Sequence, residues 1–351
     1  MKQFEKGNAC IAKAALLAGC THYFGYPITP SSEIIHTVAD LFPLVGATFI
    51  QASSEVAAIN MVYGASAAGK RVLTSSSGPG ISLKQEGVSY LAASELPCVI
   101  ADIQRAGPGL GNIWPSQADY FQVVKGGGHG NYRTPVFAPN SPQEMVDFTI
   151  EAFEVADRYR TPVYLFADAY VGQVMESVDF PTTVSKLPEK PWALKGNKET
   201  KGNLITSILM SPELEEKLNI KLQEKYREIE EKEQRYSEYM LDDADIVLVA
   251  YGITSRIAQS CVDILREKGI NAGLFRPITL WPFPNDRLRE LRTKTKQFVV
   301  FELSNGQMVD DVRLLVKDHA KVDFYGRMGG VIPTPDELVQ KVEEFCNIRE
   351  G

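Results

Sequence analysis

Cysteine is scarce and scattered. Cys10, Cys20, Cys98, Cys261 and Cys346 are odd in number, far apart and without a C-x-x-C pair, so the chain by itself offers no iron–sulfur or structural zinc ligand set. Long apolar runs are also missing. None approaches the ~18–20 residues of a membrane span, and MKQFEKGNAC carries charges where a signal peptide needs an apolar stretch. A cytoplasmic protein without membrane contact is expected. Positive charge is in deficit, 37 Lys and Arg against 44 Asp and Glu for a net −7; this argues against a phosphate-tracking surface and against nucleic acid as a partner. Compositional bias is absent too, with 44% hydrophobic and 23% charged residues, 27 Gly and 20 Pro, which excludes disorder, collagen-like repeats and low complexity.

At ~100–200 residues per domain, 351 residues imply two domains. Between Thr21 and Tyr170, β-rich runs at 22–26, 47–52, 71–76, 97–103, 134–139 and 161–168 alternate with helical stretches such as 55–69 and 81–94. This is the pattern of a parallel sheet with covering helices. Ser141-Pro-Gln-Glu144 reads as a capping box opening a helix to about Tyr159. Pro181, Pro188 and Pro191 and a polar stretch then suggest an extended connector. Residues 211–243 read as one long helix, with Leu214, Leu218, Leu222, Tyr226, Ile229, Tyr236 and Met240 at spacings of three, four or seven. It carries 11 acidic and 6 basic residues and reads as a solvated amphipathic helix packed on a neighbour, or as a partner-docking element. A second alternating unit starts at Asp245, with strands DIVLVAY, NAGLF and QFVVFE, a helix over 254–268, and a second capping box, Thr334-Pro-Asp-Glu337, opening the last helix. The expected boundaries are therefore 1–185, a 186–243 connector with its charged helix, and 244–351.

Four motifs stand where a strand gives way to a helix, and ligands of open α/β sheets bind at the carboxyl ends of the strands. In Tyr26-Pro-Ile-Thr-Pro-Ser-Ser-Glu33, Thr29 is placed for a carboxylate at a helix N-terminus, although Thr29 or Ser31 could equally be an N-cap. Ser77-Gly-Pro-Gly80 is a weak phosphate cradle, lacking a P-loop Lys and the dinucleotide glycine spacing. Arg105, ahead of Ala-Gly-Pro-Gly109, is either a fork for a carboxylate or a surface Arg beside a glycine-rich turn. Glu55 opens a largely apolar helix, where one acid also serves as a dipole or capping residue.

Together, Tyr26-Pro-Ile-Thr-Pro-Ser-Ser-Glu, Gln51-Ala-Ser-Ser-Glu55, Ser77-Gly-Pro-Gly, Arg105-Ala-Gly-Pro-Gly and Gly126-Gly-Gly-His-Gly130 occur in one order and spacing. The chain resembles the alpha subunit of the 2-oxoacid:ferredoxin oxidoreductases, most closely the branched-chain (ketoisovalerate) type. Leu274-Phe-Arg-Pro-Ile-Thr-Leu-Trp-Pro-Phe-Pro284 and Phe301-Glu-Leu-Ser-Asn-Gly-Gln307 look like the family's second domain, so the resemblance covers nearly the whole chain.

The resemblance implies an α/β fold of two doubly wound domains, a pyrimidine-binding thiamine diphosphate domain and a smaller transketolase C-terminal-like domain, joined by a long helical linker. It implies conversion of a 2-oxoacid and coenzyme A to acyl-CoA and CO2, with electrons passed to ferredoxin and thiamine diphosphate doing the carbon chemistry. Pro27, Ile28, Ser77, Gly78 and Pro79 match cofactor-binding positions. Glu55 matches the acid that hydrogen-bonds the aminopyrimidine and favours the imino form that takes the thiazolium C2 proton; the apolar neighbours Val56, Ala57, Ala58 and Ile59 are expected to keep it out of water. Thr29 and Arg105 match positions holding the carboxylate end of the substrate. Trp114 suggests an apolar acyl pocket, or else a structural lid. His129 is either a proton carrier or a structural loop residue. No Gly-Asp-Gly occurs, the family's Mg2+-diphosphate motif, so the cofactor is expected to be shared with a beta subunit. Mg2+ and iron–sulfur clusters would then sit on partner chains, with gamma and ferredoxin-like delta subunits in some members. Alternatives are a 2-oxoglutarate- or pyruvate-type member, the beta component of a lipoamide-linked 2-oxoacid dehydrogenase, and a non-catalytic nucleotide-binding module.

Overall fold

The computed structural model describes residues 2–346, so Met1 and 347–351 of the expected domains lie outside the described residues. The first unit begins with a surface ribbon, β1 (Lys2–Lys6), and then α1 (Gly7–Leu17). Its sheet is laid down as β2 (His22–Gly25), α2 (Ser32–Leu41), β3 (Thr48–Gln51), α3 (Glu55–Ala67), β4 (Val72–Ser76), α4 (Pro79–Ala93) and β5 (Cys98–Gln104). It is completed by α5 (Tyr120–Val124), β6 (Val136–Phe137), α6 (Pro142–Tyr159) and β7 (Pro162–Asp168). A short α7 (Ala169–Gln173) leads into β8 (Met175–Asp179), which pairs antiparallel with β1.

In space the strands run β6-β7-β5-β4-β2-β3, all parallel. The chain starts at β2, steps outward to β3 and then crosses back to β4, so the order reverses between β2 and β4. Crevices form outside such a reversal. Every residue of β4, β5 and β7 is buried, as expected for central parallel strands covered by helices on both faces. At α6 the Ser141 hydroxyl accepts from the Glu144 N–H at 3.3 Å, while the Glu144 carboxylate accepts from the Asn140 N–H at 2.8 Å. The capping box thus closes on the residue before the cap.

The expected helix over 211–243 is shorter: α8 spans Pro212–Lys232. Leu222, Tyr226 and Ile229 are buried as the spacing predicts, and Glu228 pairs with Lys232. The break comes at Glu233, which is 2% exposed and takes Arg158, Arg235 and the Tyr159 hydroxyl. Satisfying that carboxylate turns the chain out of the helix. Tyr236, read as a continuation of the apolar stripe, instead opens β9 (Tyr236–Tyr239), and Met240 sits at φ +51° in the turn that follows.

The second unit comprises β10 (Ile246–Val249), α9 (Gly252–Glu267), β11 (Ala272–Pro277), β12 (Thr279–Trp281) and α10 (Asn285–Leu291). It continues with β13 (Gln297–Glu302), α11 (Met308–Val316), β14 (Lys321–Gly326) and α12 (Pro335–Phe345). Its sheet order is β14-β13-β10-β11-β9, with β9 antiparallel. β12 leaves this sheet and pairs antiparallel with β6 as the seventh strand of the first. The two units therefore share a sheet edge, and one core cluster runs from Ile11 and Val99 through Phe275, Trp281 and Met308. No helix among the described residues is long and apolar enough to cross a membrane.

Candidate active site

Because β2, β3, β4 and β5 are parallel, the loops leaving their carboxyl ends emerge along one edge. Those loops carry Thr29, the start of α3 at Glu55, Ser77-Gly-Pro, and Arg105. Residues far apart in sequence meet there. One guanidinium nitrogen of Arg105 donates to the Thr29 carbonyl at 2.8 Å, and the other donates to the Leu110 carbonyl at 2.9 Å. The Thr29 hydroxyl lies 3.4 Å from that of Ser32; Ser31 precedes α2 with its own hydroxyl turned back to the Ile28 carbonyl. Pro27 and Thr29 are exposed and Ile28 half-buried on the same lip.

The Ser77-Gly78-Pro79 turn forms the floor. Gly78 sits at φ +41°, Pro79 opens α4, and the Ser77 hydroxyl is buried without a partner. Gly80 has no room for a side chain: a Cβ there would stand 2.2 Å from the Ser76 hydroxyl and 2.8 Å from a Glu55 carboxylate oxygen. That close approach is what buries Glu55, which is 7% exposed. Of the apolar neighbours invoked from sequence, Ala58 and Ile59 are buried, whereas Val56 is 43% exposed. The cover comes from Ser76 and from α4, which packs directly against α3. Ser54 caps α3 by accepting from the Ala57 N–H at 3.1 Å, so capping falls to Ser54 and the Glu55 carboxylate keeps its oxygens for another use.

Sequence reasoning missed three residues here. Lys84 on α4 is fully enclosed, and its ammonium donates to the Thr74 hydroxyl at 2.5 Å. Burial pulls its pKa down to about 8, opposed by the negative charge of Glu55. Asp119 accepts from the Gly78 N–H at 3.1 Å and from Gln122 at 2.9 Å. Asp102, at the end of β5, is wholly buried. A lone carboxylate inside PCVIADI was the available signal, because an unpaired charge is costly in a buried strand. Lys84 and Asp119 carried no local signal.

Gly78, Pro79, Arg105, Asp119, Gln307 and Met328 line an open cleft of about 830 Å3 between the two units. Trp114 is not on that lining. It is 63% exposed, with its Cβ against Gly330 and its backbone N–H donating to the Asn112 side-chain oxygen. With Leu110, Ile113 and Met328, also exposed, it makes an apolar rim. His129 stands apart: its carbonyl takes the Ser89 hydroxyl and its ring lies edge-on to Tyr90, ten or more residues along α4 from Pro79, or about 15 Å at 1.5 Å per residue.

The fit of this edge to thiamine diphosphate is uneven. A buried carboxylate beside a glycine-floored gap suits the aminopyrimidine end, and Ser76 and Ser77 hold unpartnered hydroxyls next to it. For the Mg2+-diphosphate end, no group of three or more His, Cys, Asp or Glu able to hold a metal occurs among the described residues.

Two family models match the chain: "Pyruvate flavodoxin/ferredoxin oxidoreductase, thiamine diP-bdg" over residues 13–241 and "Pyruvate:ferredoxin oxidoreductase core domain II" over residues 244–338. The sequence is 56% identical to the ketoisovalerate oxidoreductase subunit VorB of Methanothermobacter thermautotrophicus, over 98% of each chain. It is 38% identical to the 2-oxoglutarate synthase subunit KorA of Methanocaldococcus jannaschii, over 97% of this chain and 99% of that one. The fold superposes on the 2-oxoglutarate:ferredoxin oxidoreductase of Magnetococcus marinus, solved with 2-oxoglutarate, coenzyme A and succinyl-CoA bound, with a TM-score of 0.89 and 25% identity. That match covers 98% of this chain and 65% of the solved one. A split-gene transketolase shares the fold at a TM-score of 0.63 and 16% identity.

Proposed function

The chain belongs to the 2-oxoacid:ferredoxin oxidoreductase family as an alpha-type subunit, and on that premise we propose that it serves the CoA-dependent oxidative decarboxylation of a branched-chain 2-oxoacid, with electrons leaving to ferredoxin. The observation that carries this reading is the Arg105–Thr29 contact set beside Glu55 at the reversal of the first sheet. Thiamine diphosphate, when bound, supplies the carbon chemistry of decarboxylation. The pyrimidine-facing residues on this chain are Glu55, Ser77, Gly78 and Pro79, with Pro27 and Ile28 on the opposite lip. A beta subunit supplies the Mg2+ and diphosphate contacts, and iron–sulfur clusters sit on further chains of gamma and delta type.

Each residue has a defined task. Arg105 spends one guanidinium nitrogen on the Leu110 carbonyl, a neutral acceptor. A substrate carboxylate is a stronger partner and displaces it, gaining a charge-assisted bond of about 1.5–3 kcal/mol. The remaining bond to Thr29 keeps the guanidinium fixed while it holds the carboxylate. Glu55, shut off from water by Gly80 and Ser76, presents its carboxyl to the aminopyrimidine and fixes how that ring is held. The apolar rim of Leu110, Ile113, Trp114 and Met328 offers a branched acyl group an apolar surface and a second carboxylate no charged partner. The neighbouring VorB relatives, named for ketoisovalerate, point the same way.

The test is viologen or ferredoxin reduction by the chain assembled with its partner subunits. 2-Oxoisovalerate is expected to exceed 2-oxoglutarate in kcat/KM by at least ~100-fold. A preference for 2-oxoglutarate defeats the substrate assignment. CoA-independent acyl transfer to lipoamide would defeat the family reaction itself.

A further inference from the structure

Behind the cleft, at the carboxyl ends of β4 and β5, lies a group of enclosed polar atoms, of which those of Asp102 and Gln104 are not accounted for by the activity. Neither oxygen of Asp102 has a hydrogen-bond donor, and the Ser76 and Ser77 hydroxyls, the Gln104 amide nitrogen and the Arg105 Nε are likewise without partners. Asp102, Gln104, Ser76 and Ser77 are all 0% exposed. Ser76 and Asp102 are register partners on adjacent strands and so lie on one face of the sheet. The polar group that Asp102 does meet is the carboxyl of Asp119. Asp119 in turn stands between Asp102 and the cleft, with one oxygen on the Gly78 N–H and the other on Gln122.

Two carboxyls in contact cannot both be ionised when no cation is bound between them. The other titratable groups facing them do not supply one. Arg105 is the nearest cation, but its two terminal nitrogens are engaged by Thr29 and Leu110. Tyr164 on β7 and Tyr251 at the start of α9 face the pair from the other side, and burial keeps both phenols neutral. Glu302, which faces Tyr251, is occupied by the backbone N–H groups of Gln307, Met308 and Val309.

We propose that Asp102 and Asp119 form a carboxyl pair that shares one proton, and that this pair is the positioning element of the Arg105 fork. The shared proton sits on Asp102 and is donated to Asp119; the Asp119 carboxylate then holds the Gly78 turn and lies beside Arg105. With one proton the pair carries a single negative charge, which Arg105 can balance while still receiving an anionic substrate. With none it carries two, and the fork faces the incoming 2-oxoacid with net negative charge behind it. This inference rests on the assignment of Arg105 as the carboxylate fork. Burial raises both carboxyls, Asp102 the further, so the singly protonated form is the one present at neutral pH.

Two experiments separate the pair from its role. Infrared pH titration of the full chain is expected to show a protonated-carboxyl band that persists at neutral pH and is missing in Asp102→Asn. Absence of such a band in the wild type overturns the pair whatever the enzyme does, and needs no variant to fold. In the assembled enzyme, KM for the 2-oxoacid is expected to rise tenfold or more as the second proton leaves, with the effect falling on KM rather than kcat. Asp102→Asn keeps a donor to Asp119 without a titrating proton, so its KM is expected to be flat across the same range. A wild-type KM already flat, or an Asp102→Asn profile that follows the wild type, overturns the positioning role. An assembled enzyme that turns over no 2-oxoacid at all defeats the functional assignment instead, and leaves the infrared result standing.

Discussion

Glu55 is held by what surrounds it rather than by what precedes it. Ser54 does the capping, Gly80 gives the space, and Ser76 closes the side. Glu55→Gln keeps that packing and removes the acid, so turnover in the assembled enzyme is expected to fall by roughly 10²–10⁴ with assembly intact. Exchange of the cofactor C2 proton at the wild-type rate in that variant would reduce Glu55 to a helix-start residue. Arg105→Ala is expected to weaken all 2-oxoacids alike, whereas Trp114→Ala should change their ranking; an unchanged ranking would place the acyl group away from the rim. Asp168 shows the same dependence on surroundings in its titration. It is buried at the end of β7, and burial raises its pKa to about 6 despite bonds from the N–H groups of Ile253, Val171 and Tyr170. Its folded pKa lies above the unfolded value, so its contribution to stability is complete below pH ~4 and is lost as pH rises through about 6. Relative to Asp168→Asn, the wild type should therefore lose roughly 2 kcal/mol between pH 4 and 7. Urea unfolding of both proteins across that range measures the difference, and a constant gap would contradict it.

At the scale of elements, α6 ties the two units together through its first turn. Ser141 caps it, and Glu144 serves both the Asn140 N–H and Arg276 of β11, whose residue is 5% exposed. Ser141→Ala removes one cap and is expected to cost ~1 kcal/mol. Glu144→Gln removes the charge opposite a buried guanidinium, which keeps only neutral acceptors such as the Ala138 carbonyl, and is expected to cost about 3–5 kcal/mol. Thermal unfolding of the two variants should reproduce that order; equal losses would mean that Arg276 finds another acceptor. Helix α8 teaches the converse lesson. Its apolar stripe at Leu222, Tyr226 and Ile229 is real, but the same spacing at Tyr236 and Met240 is a coincidence of sequence. Glu233 needs three partners from α6 and its own neighbourhood, and the residues after it are claimed by the edge of the second sheet.

At the scale of the molecule, the carboxyl ends of the two sheets meet around Gln117. Its backbone N–H donates to the Leu303 carbonyl at 2.9 Å, its amide nitrogen to the Tyr251 carbonyl at 2.8 Å, and its amide oxygen accepts from the Leu303 N–H at 2.9 Å. The side chain is fully buried. Gln117→Ala leaves the Leu303 N–H unpaired at ~1–3 kcal/mol, whereas the Tyr251 carbonyl keeps the Thr254 hydroxyl at 2.7 Å, so hydrogen exchange at Leu303 is expected to accelerate while the centre of the first sheet stays protected. Uniform acceleration would mean that the two units unfold as one. The cleft that holds Arg105 is walled by Gln307 and Met328 of the second unit, so a loosened Gln117 clamp should also raise KM.

How far the sequence reached can be traced along these same residues. Alternation of β-rich runs with amphipathic stretches located the six parallel strands to within two residues at each end, because central strands covered on both faces are mostly apolar. Capping residues placed the starts of α6 and α12, since an unpaired helix N–H must find an acceptor within three residues. The order of motifs identified the family, and Thr29, Glu55, Ser77 and Arg105 follow directly from strand ends. The transfer of β12 to the first sheet, the end of α8 at Glu233, the burial of Glu55 by Gly80, and the meeting of Asp102 with Asp119 were decided only in three dimensions. Each depends on groups brought together from distant parts of the chain, and local spacing encodes which face a side chain takes but not which side chain waits there.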